Sequence, residues 1–196
     1  MTNETTELPQ RSNGPLWLLL GSFLVPAILA YGYFFFGDRP TVVSNGQLIT
    51  PVIDISSLKL SNQNGELLTN DELTPKWRMY YFVGSNCNQL CQNDLYNLRQ
   101  MNIALGKYQD RVQHVIAHLD EPANDFSELI NTEHQAAIRV YTRAENIQAL
   151  TVNDADDKTI YLVDPLGNIM MKFPHDLEPK LILKDIKKLL KVSRIG

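Results

Sequence analysis

Two cysteines, the only two in 196 residues, stand four apart in Cys87-Asn88-Gln89-Leu90-Cys91. Residues i and i+4 face the same way on a helix, so both sulfurs can converge on one point. If the pair opens a helix, the N–H groups and dipole of that helix end stabilise a thiolate at Cys87, making it the better nucleophile and metal ligand. Two soft thiolates select Cu(I) over hard cations, and a pair without further cysteines is incomplete as a structural zinc site. Copper or redox chemistry at Cys87 and Cys91 is therefore favoured. The bland alternative is two helix cysteines packed as small hydrophobes. Against it, the neighbours Ser85, Asn86, Asn88, Gln89 and Gln92 are polar, which points to exposure.

The elements that must position the pair can be read from the flanking pattern. Upstream, the mostly apolar and aromatic run Trp77 to Val83 is expected to be a central strand covered on both faces. From Cys87 to Tyr108, apolar residues recur at near-helical intervals, which predicts a helix of roughly five turns ending at Gly106. Val112 to Leu119 resumes strand character, Phe126 to Glu133 reads as a short helix, and Ala137 to Tyr141 as a further strand. Asn64-Gly65 between short alternating runs predicts one hairpin. Asp164-Pro165-Leu166-Gly167, between Thr159–Val163 and Asn168–Phe173, predicts a second. Leu177 to Val192 closes the pattern as an amphipathic helix. A parallel crossover mixed with antiparallel hairpins describes an α/β domain of thioredoxin-like order.

Ahead of this domain, residues 15–37 contain no charge and span about 34 Å as a helix, enough to cross the hydrocarbon core. Trp17, Tyr31 and Tyr33 suit the interfacial belts, and Pro26 adds at most a kink. The run exceeds a signal-peptide core and no small-x-small site follows, so an uncleaved single-span anchor is expected. The expected organisation is a cytoplasmic tail at 1–14, an anchor at 15–37, a turn-rich linker at 38–56 and the domain at 57–196. The net charge of -4 divides into -1 for residues 1–14, +5 for residues 180–194 and -8 for the body between. An acidic body argues against nucleic acid as a partner, since that needs a cationic face. The lysines at 180, 184, 187, 188 and 191 lie opposite an apolar stripe. They read first as a solvated helix back, and more sharply as a contact for anionic headgroups or an acidic partner.

The stretch Trp77 to Met101, with Tyr-Phe-Val-Gly and Cys-x-x-x-Cys before a helix, resembles the Sco/SenC family of membrane-anchored, thioredoxin-like copper factors. Leu119-Asp120-Glu121-Pro122 and Tyr161 to Gly167 fall in matching order, so the resemblance runs over residues 57–192. The ending Leu183 to Gly196 also resembles small membrane proteins encoded beside bacterial haem-copper oxidase genes. The resemblance implies a single-pass bacterial inner-membrane protein with a periplasmic domain. It implies action in cytochrome c oxidase assembly, with an oxidase subunit or other assembly factors as partners and Cu(I) held by Cys87 and Cys91. Two positions depart from the family pattern: Gln92 replaces the proline after the second cysteine, and Asp156 stands where a copper-ligating histidine is expected. Asp is a hard oxygen donor, so the third ligand does not transfer.

His118, ending a predicted strand at the edge where ligands bind in open α/β sheets, is the best substitute. His114, His134 and His175 read as surface or packing histidines. One of Met170 and Met171 should point to the core of an alternating strand. Two other functions compete with a Sco-like copper factor. A membrane-tethered thiol-disulfide oxidoreductase would normally carry Cys-x-x-Cys and a cis-proline before the late strand, where this chain has Asp156-Asp157-Lys158. It also needs the pair to bridge, with Cα atoms roughly 4.4–6.8 Å apart. The other is a non-catalytic assembly scaffold with structural cysteines.

Overall fold

The computed structural model describes residues 14–36, 44–85, 87–119, 124–151 and 159–196. It divides into two units, residues 1–43 and 44–196. In the first, α1 (Gly14–Phe36) is a 23-residue helix with no buried residue and Pro26 inside it. By length and composition it is a candidate single transmembrane span, one residue displaced at each end from the expected anchor.

The second unit is a six-stranded mixed sheet in the order β1-β6-β5-β2-β3-β4. In chain order its elements are β1 (Gln47–Asp54), α2 (Asn70–Leu73), β2 (Trp77–Val83), α3 (Gln89–Ala104), β3 (Val112–His118) and α4 (Asn124–Glu133). They are followed by β4 (Ile138–Tyr141), α5 (Gln148–Thr151), β5 (Ile160–Val163), β6 (Asn168–Phe173) and α6 (Pro179–Val192). β2 runs parallel to β3 and antiparallel to β5, and all seven of its residues are buried. Alternation sends Trp77, Met79, Tyr81 and Val83 to one face, against Leu95, Leu98 and Met101 of α3, Ile130 of α4 and Ile182, Ile186 and Leu190 of α6. Tyr80 and Phe82 face the other way, against Ile55, Leu58, Leu73, Ile147 and Leu150. Removing a side chain such as Leu98, fully buried, to Ala costs about 2–5 kcal/mol.

Two expectations are corrected. Residues 38–56 were expected to be a linker, yet 47–54 form β1, which pairs antiparallel with β6. Its apolar residues do not alternate cleanly because the pairing is broken by an irregularity between Leu48 and Ile53, which erases the period-two signal. The Asn64-Gly65 hairpin shrinks to an isolated bridge between Ser61 and Leu67. There the Asn62 side chain accepts the amides of Asn64 and Glu66, and Gly65 takes φ 82°. Local side-chain bonds of this kind compete with a strand ladder. The β5–β6 hairpin forms as expected: Asp164 Oδ1 accepts from Leu166 N and Asn168 N, and Gly167 supplies the positive φ of 91°.

The domain's first described residues are pinned to its last helix. Asp185, in the middle of α6, is buried, and its Oδ2 accepts from Ser44 Oγ at 3.2 Å, Asn45 N at 2.6 Å and Gly46 N at 3.0 Å. Its Oδ1 accepts from Asn45 Nδ2 at 3.0 Å. Gly46 fits only because it has no Cβ, since one placed there would lie 2.3 Å from Phe173 Cε1. At the far end of α6, the Arg111 guanidinium donates to the carbonyls of Leu190, Ser193, Ile195 and Gly196, satisfying groups that a helix end leaves open.

Candidate functional site: the cysteine pair at the sheet's end

The site sits where β2, β3 and β4 all end. Val83 pairs with His118, and His118 with Tyr141, so the carboxyl ends of three parallel strands lie side by side. In open α/β sheets ligands gather at such an edge. From β2 the chain passes through Gly84 and Ser85 to Cys87 and enters α3 at Gln89.

Asn88 begins the helix. It has extended backbone geometry, and its Oδ1 accepts Cys91 N at 3.1 Å, an N-cap bond. Cys87 therefore lies outside the helix and not within its first turn, a correction to the expectation of a helix from Cys87 onward. The sulfurs meet all the same. Cys87 and Cys91 are joined as a disulfide with Cα atoms 5.2 Å apart, inside the range a bridge requires. Because the cap turns the chain, residues four apart converge without sharing a helix face.

The two sulfurs are not equivalent. Cys91 is 8% exposed and belongs to the core cluster with Leu95 and Leu98. Cys87 is half-buried, with Asn88, Gln89 and Leu90 exposed beside it. The polar neighbours point to exposure of the pair, whereas Cys87 is half-buried at the edge of the core and Cys91 is buried in it. Cys87 also sits just ahead of the amino-terminal end of α3, where the helix field favours an anion. When the bond is reduced, Cys87 is the accessible thiolate and Cys91 the shielded partner.

Below the pair, Tyr81 donates its hydroxyl to Asp94 Oδ2 at 2.9 Å and ties the start of α3 to the central strand. Sequence reasoning missed both this bond and Asn88 as a cap. The second had a signal, since Asn immediately before an apolar-periodic run marks a helix start; the first joins residues thirteen apart and leaves no local pattern.

His118 ends β3 as expected and is 2% exposed. Its ring stacks on Tyr141 with centroids 5.0 Å apart and lies 5.8 Å from Phe126. Burial, with the Arg139 charge adding to it, lowers its pKa to about 4, so the ring is neutral and able to offer a lone pair. Its Nδ1 is buried without a hydrogen-bond partner among the described residues. The ring borders a groove of about 730 Å³ lined also by Ser61, Tyr141, Thr142, Arg143 and Asn146, and neither cysteine lines that groove. Among the described residues no three His, Cys, Asp or Glu side chains form a metal-holding group. Asp156 and Asp120-Glu121-Pro122 lie outside the described residues. His114 and His134 are buried, at 4% and 3% exposure, and belong to packing; His175 is exposed. Met171 points into the core, whereas Met170 is half-buried.

The donor chemistry fits Cu(I) as a cargo: two thiolates, once the disulfide has taken up two electrons, make a soft pair. A family model described as "Transmembrane-like, thioredoxin-like, C-terminal domain" matches residues 77–193. The SCO2-like protein of Rickettsia felis is 25% identical over 151 residues, covering 66% of this chain and 73% of that protein. Copper-bound yeast Sco1 superposes with a TM-score of 0.53 at 19% identity, covering 80% of this chain and 96% of that one. A thiol:disulfide interchange protein from Bacteroides sp. superposes with a TM-score of 0.51 at 16% identity, covering 76% and 91%. With more than half of its length matched by that family model, the chain belongs to the transmembrane-like, thioredoxin-like family, and it is similar to the SCO2-like protein of Rickettsia felis.

Proposed function

We propose that this protein is a membrane-anchored, Sco-like accessory factor of cytochrome c oxidase assembly whose working group is the Cys87–Cys91 pair, handling Cu(I) when reduced. The reading places α1 in a bacterial inner membrane as a single span and the domain in the periplasm, with an oxidase subunit or another assembly factor as client. The observation that carries it is the pairing of an accessible sulfur with a shielded one, 5.2 Å apart between Cα atoms, at the helix end on the sheet's ligand edge. Two thiolates supply the primary donors. His118, a neutral imidazole at the same end of the sheet with an unpartnered Nδ1, is the candidate third donor in the reduced protein.

Thiol exchange is the second reading, and the bridged state favours it. The Cys87 thiolate would attack a client disulfide, forming a mixed disulfide and releasing one client thiolate. The Cys91 thiolate would then attack Cys87 Sγ, releasing the second client thiolate and closing the Cys87–Cys91 bond. The client gains two electrons and this chain loses two.

The test is Cu(I) titration of the reduced full-length protein in neutral detergent. One Cu(I) per chain is expected for the wild type, with binding lost in Cys87→Ser and in Cys91→Ser. His118→Ala should weaken affinity without changing stoichiometry. Unchanged copper binding in Cys87→Ser would overturn the copper reading. A redox titration finding no reversible disulfide would remove the exchange reading. If a double cysteine variant still supports oxidase assembly in cells while a deletion does not, the scaffold reading takes their place.

A further inference from the structure

The lysines of α6 form one continuous stripe. Lys180, Lys184, Lys187 and Lys191 follow i, i+4, i+7 and i+11, so they stack along one side of the helix. That side lies opposite the buried Ile182, Ile186 and Leu190. Lys180, Lys184, Lys188 and Lys191 are exposed and Lys187 is half-buried. The helix's one acidic residue, Asp185, is turned inward and bonded to Ser44, Asn45 and Gly46. It therefore leaves the stripe uncompensated, and among the described residues the lysines make no ion pair. The concentration of positive charge is local, since the body of the chain between residues 15 and 179 carries -8.

The same Asp185 decides which surface this stripe can reach. Its bonds hold Ser44 to Gly46 on α6, and only residues 37–43 separate Ser44 from Phe36, where α1 ends. Fully extended, that stretch covers roughly 29 Å. A stretch this short keeps a tethered surface at millimolar effective concentration, within reach of the interface where a spanning α1 would emerge.

We propose that the lysine face of α6 docks on the anionic surface of the bilayer that holds α1, recognising acidic phospholipid headgroups. This rests on reading α1 as a membrane span. Docking would fix the face the domain turns toward the membrane, and with it the direction in which the Cys87 edge is offered to a membrane-bound client.

The test uses the full-length protein reconstituted in vesicles of phosphatidylcholine alone or of phosphatidylcholine mixed with phosphatidylglycerol. A membrane-impermeant acetylating reagent and mass spectrometry then read the lysines one by one. Lys180, Lys184, Lys187, Lys188 and Lys191 are expected to react at least about five-fold more slowly in the anionic vesicles, with the protection lost in molar salt. The exposed Lys59 and Lys107 should react alike in both. In a variant with Lys180, Lys184, Lys187 and Lys191 all changed to Gln, surface changes that leave the core intact, Lys188 should lose its protection. Equal rates in the two lipids, with the wild-type protein retained in neutral vesicles after a carbonate wash, would overturn the docking while the span stands, and would hand the face to an acidic protein surface. Loss of carbonate retention would remove the span and the docking argument together.

Discussion

At the scale of single residues, the chemistry turns on how unlike Cys87 and Cys91 are. A sulfur must be exposed to meet a client or a metal donor, and a resolving sulfur works best when shielded until it is needed. Asn88 produces that division: by capping α3 through Cys91 N it holds Cys91 in the first turn over the core and leaves Cys87 on the approach to the helix. After reduction, iodoacetamide should modify Cys87 at least about ten-fold faster than Cys91 at neutral pH, reflecting both exposure and thiolate fraction. Peptide mapping after timed quenching reads the order directly, and equal rates would refute the assignment of roles. Asn88→Ala removes the cap and should cost about 1 kcal/mol of stability, narrowing the difference in rate as the first turn of α3 loosens.

At the scale of elements, what could be read in advance follows from where the signals lie. β2 announces itself as a mostly apolar and aromatic run interrupted only by Arg78, and α3, the β5–β6 hairpin and α6 each carry a periodic or turn signature within a few residues. The cysteine pair was legible for the same reason, as residue type and spacing are local. β1 was not legible, because its pairing is irregular and its partner β6 lies more than a hundred residues away. Nor was Asp185, which counted in the sequence as one charge on a basic helix. In the structure it is the acceptor that fastens β1's leading residues to α6. Asp185→Asn puts an amide donor opposite N–H and O–H donors, so even this near-isosteric change should cost about 2–4 kcal/mol. Hydrogen exchange of the full-length protein in detergent should show amides 45–48 exchanging faster while those of β2 and β3 hold. Uniform acceleration, or none, would contradict the clamp. Gly46→Ala should loosen the same segment by another route, by forcing Phe173 aside.

At the scale of the whole molecule, the buried histidines couple stability to pH. His114 lies on the helix-covered face of β3 with His134 and Arg99 near it. Burial is the main reason its pKa falls to about 4, with the charges of His134 and Arg99 pushing the same way. The pKa of His134 is lowered too, again by burial first, with Arg99 and Arg139 outweighing Glu133. Unfolded, these imidazoles titrate near the ordinary value of about 6.5. Between pH 6.5 and 4 the unfolded chain therefore binds protons that the native chain refuses, and stability must fall as the pH is lowered through that window. For His114 the slope is about 1.4 kcal/mol per pH unit, and the lowered pKa of His134 adds to it in the same direction. Asp54, held below the usual carboxylate range by the Ser56 hydroxyl and then the Ser56 amide, adds a loss in the same direction only at more acid pH. The expectation is thus a steady decline from neutrality to pH 4 in urea unfolding of the full-length protein in neutral detergent. His114→Leu removes a titrating ring whose Nε2 has no hydrogen-bond partner among the described residues, so it breaks no hydrogen bond at that nitrogen. The variant should lose about one histidine's share of the slope while keeping wild-type Cu(I) stoichiometry at neutral pH. An unchanged slope would mean that His114 takes up its proton without unfolding the domain.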